Sequence, residues 1–114
     1  MSSDCLFCRF VAREIEPDVV AESDTALAFR DINPQAPTHV LVVPKRHAEN
    51  AVALASAAPA ELAAVIDLAG QVAADEGLDD GYRMVTNTGA DAGQTVFHFH
   101  LHVLGGRAMA WPPG

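Results

Sequence analysis

Three histidines at alternate positions near the C-terminus, His98, His100 and His102, are the residues of this chain best suited to chemistry. Side chains of a β-strand point to opposite faces in turn, so this period of two predicts a strand over residues 97–104 with the three imidazoles on one face. The other face would be apolar, formed by Phe97, Phe99, Leu101 and Val103. Neutral imidazoles can attack phosphorus, transfer protons or bind a metal, and those about 7 Å apart can share one phosphate. An exposed polar face on a half-buried strand is the alternative interpretation.

The stretch His-Phe-His-Leu-His-Val-Leu at residues 98–104 resembles the motif of the histidine triad (HIT) family. Four further segments are similar to the Hint branch of that family: GQTV at 93–96, GGR at 105–107, WPPG at 111–114 and DINPQAPTH at 31–39, which VLVVPK follows. The resemblance covers nearly the whole chain. It implies a nucleotide hydrolase that acts on purine nucleoside 5′-phosphoramidates and related nucleotidyl conjugates.

The resemblance also assigns the catalytic residues. His100, the middle histidine, would be the nucleophile that forms a covalent nucleotidyl-histidine intermediate, which water then hydrolyses. His102 would contact the phosphate and share in proton handling. Thr95 offers a hydroxyl near the leaving atom, where the Hint branch commonly has serine. Gly93 and Gln94 can offer backbone N–H groups to phosphate oxygens, because glycine permits a close approach.

The nucleoside would bind to the DINPQAPTH segment. By the resemblance, Asp31 would accept both ribose hydroxyls, which the two oxygens of a carboxylate can do. Phe29 and Ile32 would line the base pocket, and Asn87 would reach the ribose or the phosphate. His39 is expected to support the triad from a neighbouring strand, or else to be a buried histidine with a satisfied hydrogen bond. Asp31 could alternatively serve only as a turn cap ahead of Pro34.

Cys5 and Cys8 form a C-x-x-C pair that His47 and His98 could complete as a tetrahedral Cys2His2 zinc site. Zinc there would be structural, and the proposed chemistry itself needs no metal. A redox pair, or two cysteines without a role, are the alternatives, but redox pairs follow a strand in thioredoxin-like units, and no strand is predicted before Cys5. Under the zinc hypothesis His98 serves the structure, whereas His100 and His102 perform the chemistry.

Length, net charge and the N-terminal residues limit the domain count, the partners and the location that we expect. With 114 residues the chain is expected to be a single domain, residues 1–114. Its net charge of −8 disfavours nucleic acid and anionic membranes as partners, so any phosphate must be held by a local site. No basic, apolar leader is evident, which predicts a cytoplasmic protein. The resemblance implies a homodimer, with Trp111 near the partner's active site or packed on its own subunit.

Local patterns predict an α+β fold with an antiparallel sheet of about five strands, a short N-terminal helix and one long helix. The helices are expected from Cys5 towards Arg13 and from Pro59 to about Glu76, where Pro suits a first turn and Gly77 a C-cap. Strands are expected at 19–22, 25–29, 39–43, 82–86 and in the histidine stretch. Two prolines make residues 31–37 a rigid loop.

Two other functions are compatible with the sequence. The chain could be a purine-nucleotide-binding regulatory or scaffolding protein in which hydrolysis is incidental, because the same pocket would serve both. It could also be a zinc enzyme that uses all three triad histidines as ligands. Turnover of an adenosine phosphoramidate and sensitivity to a chelator distinguish these hypotheses.

Overall fold

Five antiparallel strands form one sheet in a computed structural model that describes residues 4–113, so Gly114 of the WPPG segment lies outside it. The strands are β1 (Val19–Glu22), β2 (Ala26–Arg30), β3 (Thr38–Pro44), β4 (Tyr82–Val85) and β5 (Leu101–Gly105). Their order across the sheet is β1-β2-β3-β5-β4, and every neighbouring pair is antiparallel. The predicted α+β architecture is therefore confirmed.

The central strand β3 is buried along its whole length because both faces of the sheet are covered. One face packs against the long helix α3 (Pro59–Asp75), and the core there includes Val40, Val42 and Phe99. The opposite face carries a smaller cluster of Leu27, Phe29, Leu41 and Val43, which Phe7 of the short helix α1 (Leu6–Val11) covers. None of the helices between residues 4 and 113 is long and apolar enough to cross a membrane.

A third helix, α2 (Ala51–Ala57), precedes α3 and was not predicted. Asn50 caps it, because its side-chain oxygen accepts a hydrogen bond from the N–H of Ala53 at 2.9 Å. The start of α3 matches the prediction at Pro59. The Ala-rich stretch thus forms two consecutive helices, separated at Ala58.

The predicted histidine strand is shorter than residues 97–104, because β5 begins only at Leu101. Its ladder with β3 ends at the pair Val42–Leu101, two residues short of Pro44, which has no N–H to donate. Phe99 instead donates its N–H to the carbonyl of Ala48 at 2.7 Å. The predicted apolar face holds for Phe99, Leu101 and Val103, but Phe97 lies outside the strand and is 46% exposed.

Candidate active site

His100 lies just before β5 on the sheet face that α1 covers, and it is buried. Its Nδ1 lies 2.9 Å from the backbone carbonyl oxygen of His98, so Nδ1 carries a proton and donates it there. In the neutral tautomer that this bond selects, the lone pair lies on Nε2. Phe7 packs edge-on against the His100 ring at 5.1 Å between centroids. The result is an imidazole of fixed orientation whose neutral tautomer has Nε2 available for attack.

His102 follows two residues later and is hydrogen bonded to His39 of β3, with 2.8 Å between His102 Nδ1 and His39 Nε2. The proton positions follow from the backbone, because the N–H of Gln35 donates to His39 Nδ1 at 3.0 Å. A neutral His39 therefore carries its proton on Nε2 and donates it to His102 Nδ1, which leaves His102 with an N–H at Nε2.

Burial keeps this pair of histidines neutral. It lowers the pKa of His102 to about 4, and repulsion from His100 and His39 acts in the same direction. Burial also lowers the pKa of His39, although the Asp31 carboxylate, 3.5 Å from His39 Nε2, offsets part of the effect. Near pH 7 the pair thus offers hydrogen-bond donors of defined direction and no positive charge.

A cavity of about 670 Å³ opens in front of these histidines. Among the predicted site residues, it is lined by Phe29, Asp31, Ile32, Thr95, His100 and His102. Phe29 is part of the buried core, whereas Ile32 is fully exposed at the rim. Asp31 is held in the loop after β2, where its Oδ1 accepts the N–H of Asn33 at 2.8 Å. The preceding residue, Arg30, is fixed by two hydrogen bonds to Glu76 at the end of α3.

The loop before β5 differs in part from expectation. The N–H of Gly93 donates to the carbonyl of Ala90 at 3.0 Å, and that of Gln94 donates to the carbonyl of Gly89 at 3.1 Å. The predicted role of both N–H groups as phosphate donors stays a prediction, and it requires these two bonds to open. The buried side chain of Gln94 braces the loop instead, since its Nε2 donates to the carbonyls of Glu49 and Val96.

Asn87 lies outside the cavity that holds His100. It lines a neighbouring cleft of about 270 Å³ together with His39 and His102, so His102 borders both spaces. Thr95 is exposed beside the larger cavity. The role of Asn87 at the ribose or the phosphate therefore stays a prediction.

The four predicted metal ligands converge, with one ligand atom from each lying within 4.8 Å of the others. Cys8 Sγ lies 3.2 Å from His47 Nδ1, Cys5 Sγ lies 3.4 Å from His98 Nδ1, and the two Nδ1 atoms are 3.2 Å apart. Zinc at about 2.3 Å from sulfur and about 2.0–2.1 Å from nitrogen would separate tetrahedral ligands by roughly 3.3–3.8 Å. The donor set and its spacing therefore fit a tetrahedral metal ion.

Neighbouring groups prepare these ligands. His98 is fully buried, and its Nε2–H donates to the carbonyl of Pro44 at 2.8 Å, which leaves Nδ1 free to bind a metal. Burial lowers the pKa of His98 to about 4, which keeps its ring neutral. Burial, with the hydrogen bond and charge of Cys5, raises the pKa of the Cys8 thiol to about 11, so a metal ion would have to displace the Cys8 proton. Both cysteines are free thiols, as metal binding requires.

The three triad histidines do not form one metal site. In the part of the chain that the structure describes, one candidate ligand group contains His98, and a second joins Asp31, His39 and His102. His100 belongs to neither group. The hypothesis of a catalytic zinc held by all three is therefore wrong, because residues 98–100 lie outside the ladder and the His98 ring is directed towards the cysteines.

Sequence reasoning missed several residues that shape the site. Gln35 sets the proton positions of His39 through its backbone N–H, and the Pro44 carbonyl does the same for His98. Phe7 contacts the rings of both His98 and His100. The first two act through backbone atoms, which residue type does not report, whereas the apolar face of α1 was a visible signal for Phe7.

Comparison with known proteins agrees with this geometry. A family model described as the HIT domain matches residues 12–109. The chain is 49% identical over 114 residues to an uncharacterised HIT-like protein of Synechococcus elongatus, with both chains fully covered. It is 47% identical to a 14 kDa zinc-binding protein of Zea mays, across 98% of this chain and 89% of that one.

Solved structures give the same result. A HIT family hydrolase from Legionella pneumophila superposes with a TM-score of 0.92 at 48% identity, covering 96% of this chain and 99% of that one. The similarity thus extends over strands, helices and the segments that carry the histidines. The chain belongs to the HIT family.

Proposed function

We propose that this chain is a hydrolase of the Hint type that cleaves purine nucleoside 5′-phosphoramidates and related nucleotidyl conjugates. The observation that carries the proposal is the state of His100. Its Nδ1–H is fixed on the His98 carbonyl, so the neutral ring carries its lone pair on Nε2, in a residue that lines a cavity of about 670 Å³. That volume lies within the range of roughly 300–1,000 Å³ typical of small-molecule sites.

The first step transfers the nucleotidyl group to His100. The Nε2 lone pair forms a bond to phosphorus while the phosphorus–nitrogen bond of the phosphoramidate breaks, and the departing amine takes that electron pair. The His102 Nε2–H donates a hydrogen bond to a phosphoryl oxygen as charge develops there. The His102 Nε2–H stays on the phosphoryl oxygen, so the amine takes its proton from a water molecule at the exposed Thr95 hydroxyl. That water becomes hydroxide, which the proton released in the second step neutralises.

The second step returns the enzyme to its starting state. A water molecule attacks phosphorus from the side that the amine has left, the bond to Nε2 breaks, and its electron pair returns to the imidazole. The proton of that water passes to solvent along the same exposed edge. The products are a nucleoside 5′-monophosphate and a free amine, so one water is consumed in each cycle.

Different residues of the large cavity would contact the ribose and the base of the nucleoside. Its Asp31 carboxylate would accept the two ribose hydroxyls, and Phe29 and Ile32 would contact the purine base. The base would thus lie between a buried aromatic wall and an exposed aliphatic rim. The cavity lining is more apolar than polar, which suits a planar purine.

Zinc is proposed as a structural ion held by Cys5, Cys8, His47 and His98. When bound it would tie the start of α1, the segment after β3 and the approach to β5 together.

We further propose that the chain acts as a cytoplasmic homodimer whose C-terminal tail borders the partner's site. The 83% exposure of Trp111 supports this, since an exposed tryptophan near a terminus suits burial by a partner.

One observation favours the alternative, a purine-nucleotide-binding regulatory or scaffolding protein with incidental hydrolysis. The N–H groups of Gly93 and Gln94 are engaged within their own loop, so stabilisation of the phosphoryl oxygens is weaker until that loop rearranges. Such a site would bind nucleotide well and turn it over slowly.

Hydrolysis of adenosine 5′-phosphoramidate, measured beside calorimetric binding of adenosine monophosphate, separates the two functions. The proposal expects turnover in the parent and loss of turnover in His100→Ala with nucleotide binding retained. Binding without turnover in the parent would favour the regulatory function, and turnover unaffected by His100→Ala would contradict the mechanism.

A further inference from the structure

Phe7 lies buried between the metal-ligand cluster (Cys5, Cys8, His47 and His98) and the nucleophile, His100. Its ring centroid is 6.0 Å from that of His98 and 5.1 Å from that of His100, and both contacts are edge-on. The side chain is only 4% exposed. We propose that Phe7 is a positioning residue that couples occupancy of the metal site to the orientation of the His100 imidazole. The inference rests on the proposed function only in treating His100 as the nucleophile.

The location of the Phe7 ring depends on the metal-ligand cluster because of where Phe7 stands in the chain. It stands between the two cysteines in α1, a helix of six residues, which is too short to be stable through its own hydrogen bonds. The N-cap of α1 is Cys5, whose Sγ accepts the N–H of Cys8 at 3.3 Å. A metal ion on both sulfurs therefore fixes the start of α1, and with it the location of the Phe7 ring.

A second connection runs through His98 itself. The carbonyl that holds His100 Nδ1–H belongs to His98, one of the four metal ligands. The Pro44 carbonyl holds the His98 ring at Nε2, and a bound metal would hold it at Nδ1. The backbone bond anchors one edge of the His100 ring, and Phe7 restricts its rotation from the side. Losing the lateral contact would leave the nucleophile hydrogen bonded but free to swing, which is costly because attack depends on alignment.

Phe10 provides a matched control on the same helix. It lines the same cavity and packs edge-on against Phe29 at 5.1 Å, as Phe7 does at 5.5 Å. Among the aromatic contacts of the described residues, Phe10 touches neither His98 nor His100. A change at Phe10 should therefore alter nucleotide affinity, whereas a change at Phe7 should also alter the imidazole of His100.

The test is NMR of protein labelled with ¹⁵N-histidine, at fixed pH and with zinc bound, for the parent, Phe7→Leu and Phe10→Leu. Zinc content shows that each variant retains the site. The parent and Phe10→Leu should show His100 as one tautomer with the proton on Nδ1, and Phe7→Leu should show an averaged or broadened signal. On the phosphoramidate, Phe7→Leu should lower kcat about tenfold or more, a larger factor than its change in nucleotide Kd.

Removal of zinc by a chelator gives a second measurement that needs no variant and no substrate. The His100 signal of the parent should change on zinc removal, and it should change less in Phe7→Leu because part of the coupling is already lost. An unchanged His100 signal in the metal-free parent, or equal effects of Phe7→Leu and Phe10→Leu on that signal, would overturn the proposal. If the parent lacks turnover but shows the coupling, the proposed function fails and the positioning role stands.

Discussion

Replacement of His102 by asparagine should make the stability of the protein less dependent on pH. The asparagine Oδ1 can still accept the His39 Nε2–H in place of His102 Nδ1, but the side chain no longer titrates. In the folded protein the pKa of His102 lies at about 4, chiefly because it is buried. In the unfolded chain an ordinary histidine has a pKa of about 6.5.

The sign follows from which state binds the proton. Between pH 6.5 and pH 4 the unfolded chain is protonated at His102 and the folded chain is not, so stability falls as the pH falls. From pH 7 to pH 5 the linkage amounts to about 2 kcal/mol for this one group. At about 0.24 kcal/mol per degree for a chain of this length, this corresponds to about 8 °C in Tm.

Thermal unfolding at pH 7 and pH 5, with zinc saturating in both proteins, measures this difference. The parent should lose about 8 °C more than His102→Asn over that interval, since the pH dependence of the metal site is common to both. Equal losses would refute the assignment of His102 as a histidine that partial burial keeps neutral in the folded protein. A larger loss in the variant would mean that the charged form is the one the fold stabilises.

Three further predictions concern the nucleoside site, the metal site and the tail. Asp31→Asn should weaken binding of adenosine monophosphate by roughly 10- to 100-fold, because hydrogen bonds to a charged group are lost. The control ligand 2′,3′-dideoxyadenosine monophosphate, which lacks both ribose hydroxyls, should bind both proteins alike. Calorimetry measures both affinities. Cys8→Ser removes a thiolate ligand, so bound zinc should fall below one ion per chain and Tm should drop, and full zinc content by elemental analysis would contradict the site. Truncation after Met109 should change the ranking of leaving-group amines in kcat/KM if the tail borders a site, and an unchanged ranking would place the tail elsewhere.

Much of the fold could be predicted from local signals. The alternation of histidine with apolar residues identified the sheet face that carries the site, and Pro59 marked the start of the long helix. The strands β1 and β4 also begin where residue types indicated. These features depend on neighbours in sequence, which is why pattern alone reports them.

The remaining features depend on tertiary contacts. The ladder stops before His100 because its partner strand ends in Pro44, and Phe99 then pairs with Ala48 in a separate segment. The brief helix α2 begins at the Asn50 cap, a local signal that the prediction did not use, and burial of Leu54 against the core holds the helix in place. The proton positions of His39, His98 and His100 come from backbone partners that only the folded chain brings into reach.

The claim that His100 is a covalent nucleophile is tested most directly by intact-protein mass. The parent, His100→Ala and His100→Gly would each react with an adenosine 5′-phosphoramidate. Each reaction would be quenched without acid, and the intact-protein mass would be measured at once. The account predicts a nucleotidyl adduct on the parent that is absent from both variants, together with their loss of turnover. Turnover of the parent with no adduct under single-turnover conditions, or an adduct that persists without His100, would contradict it.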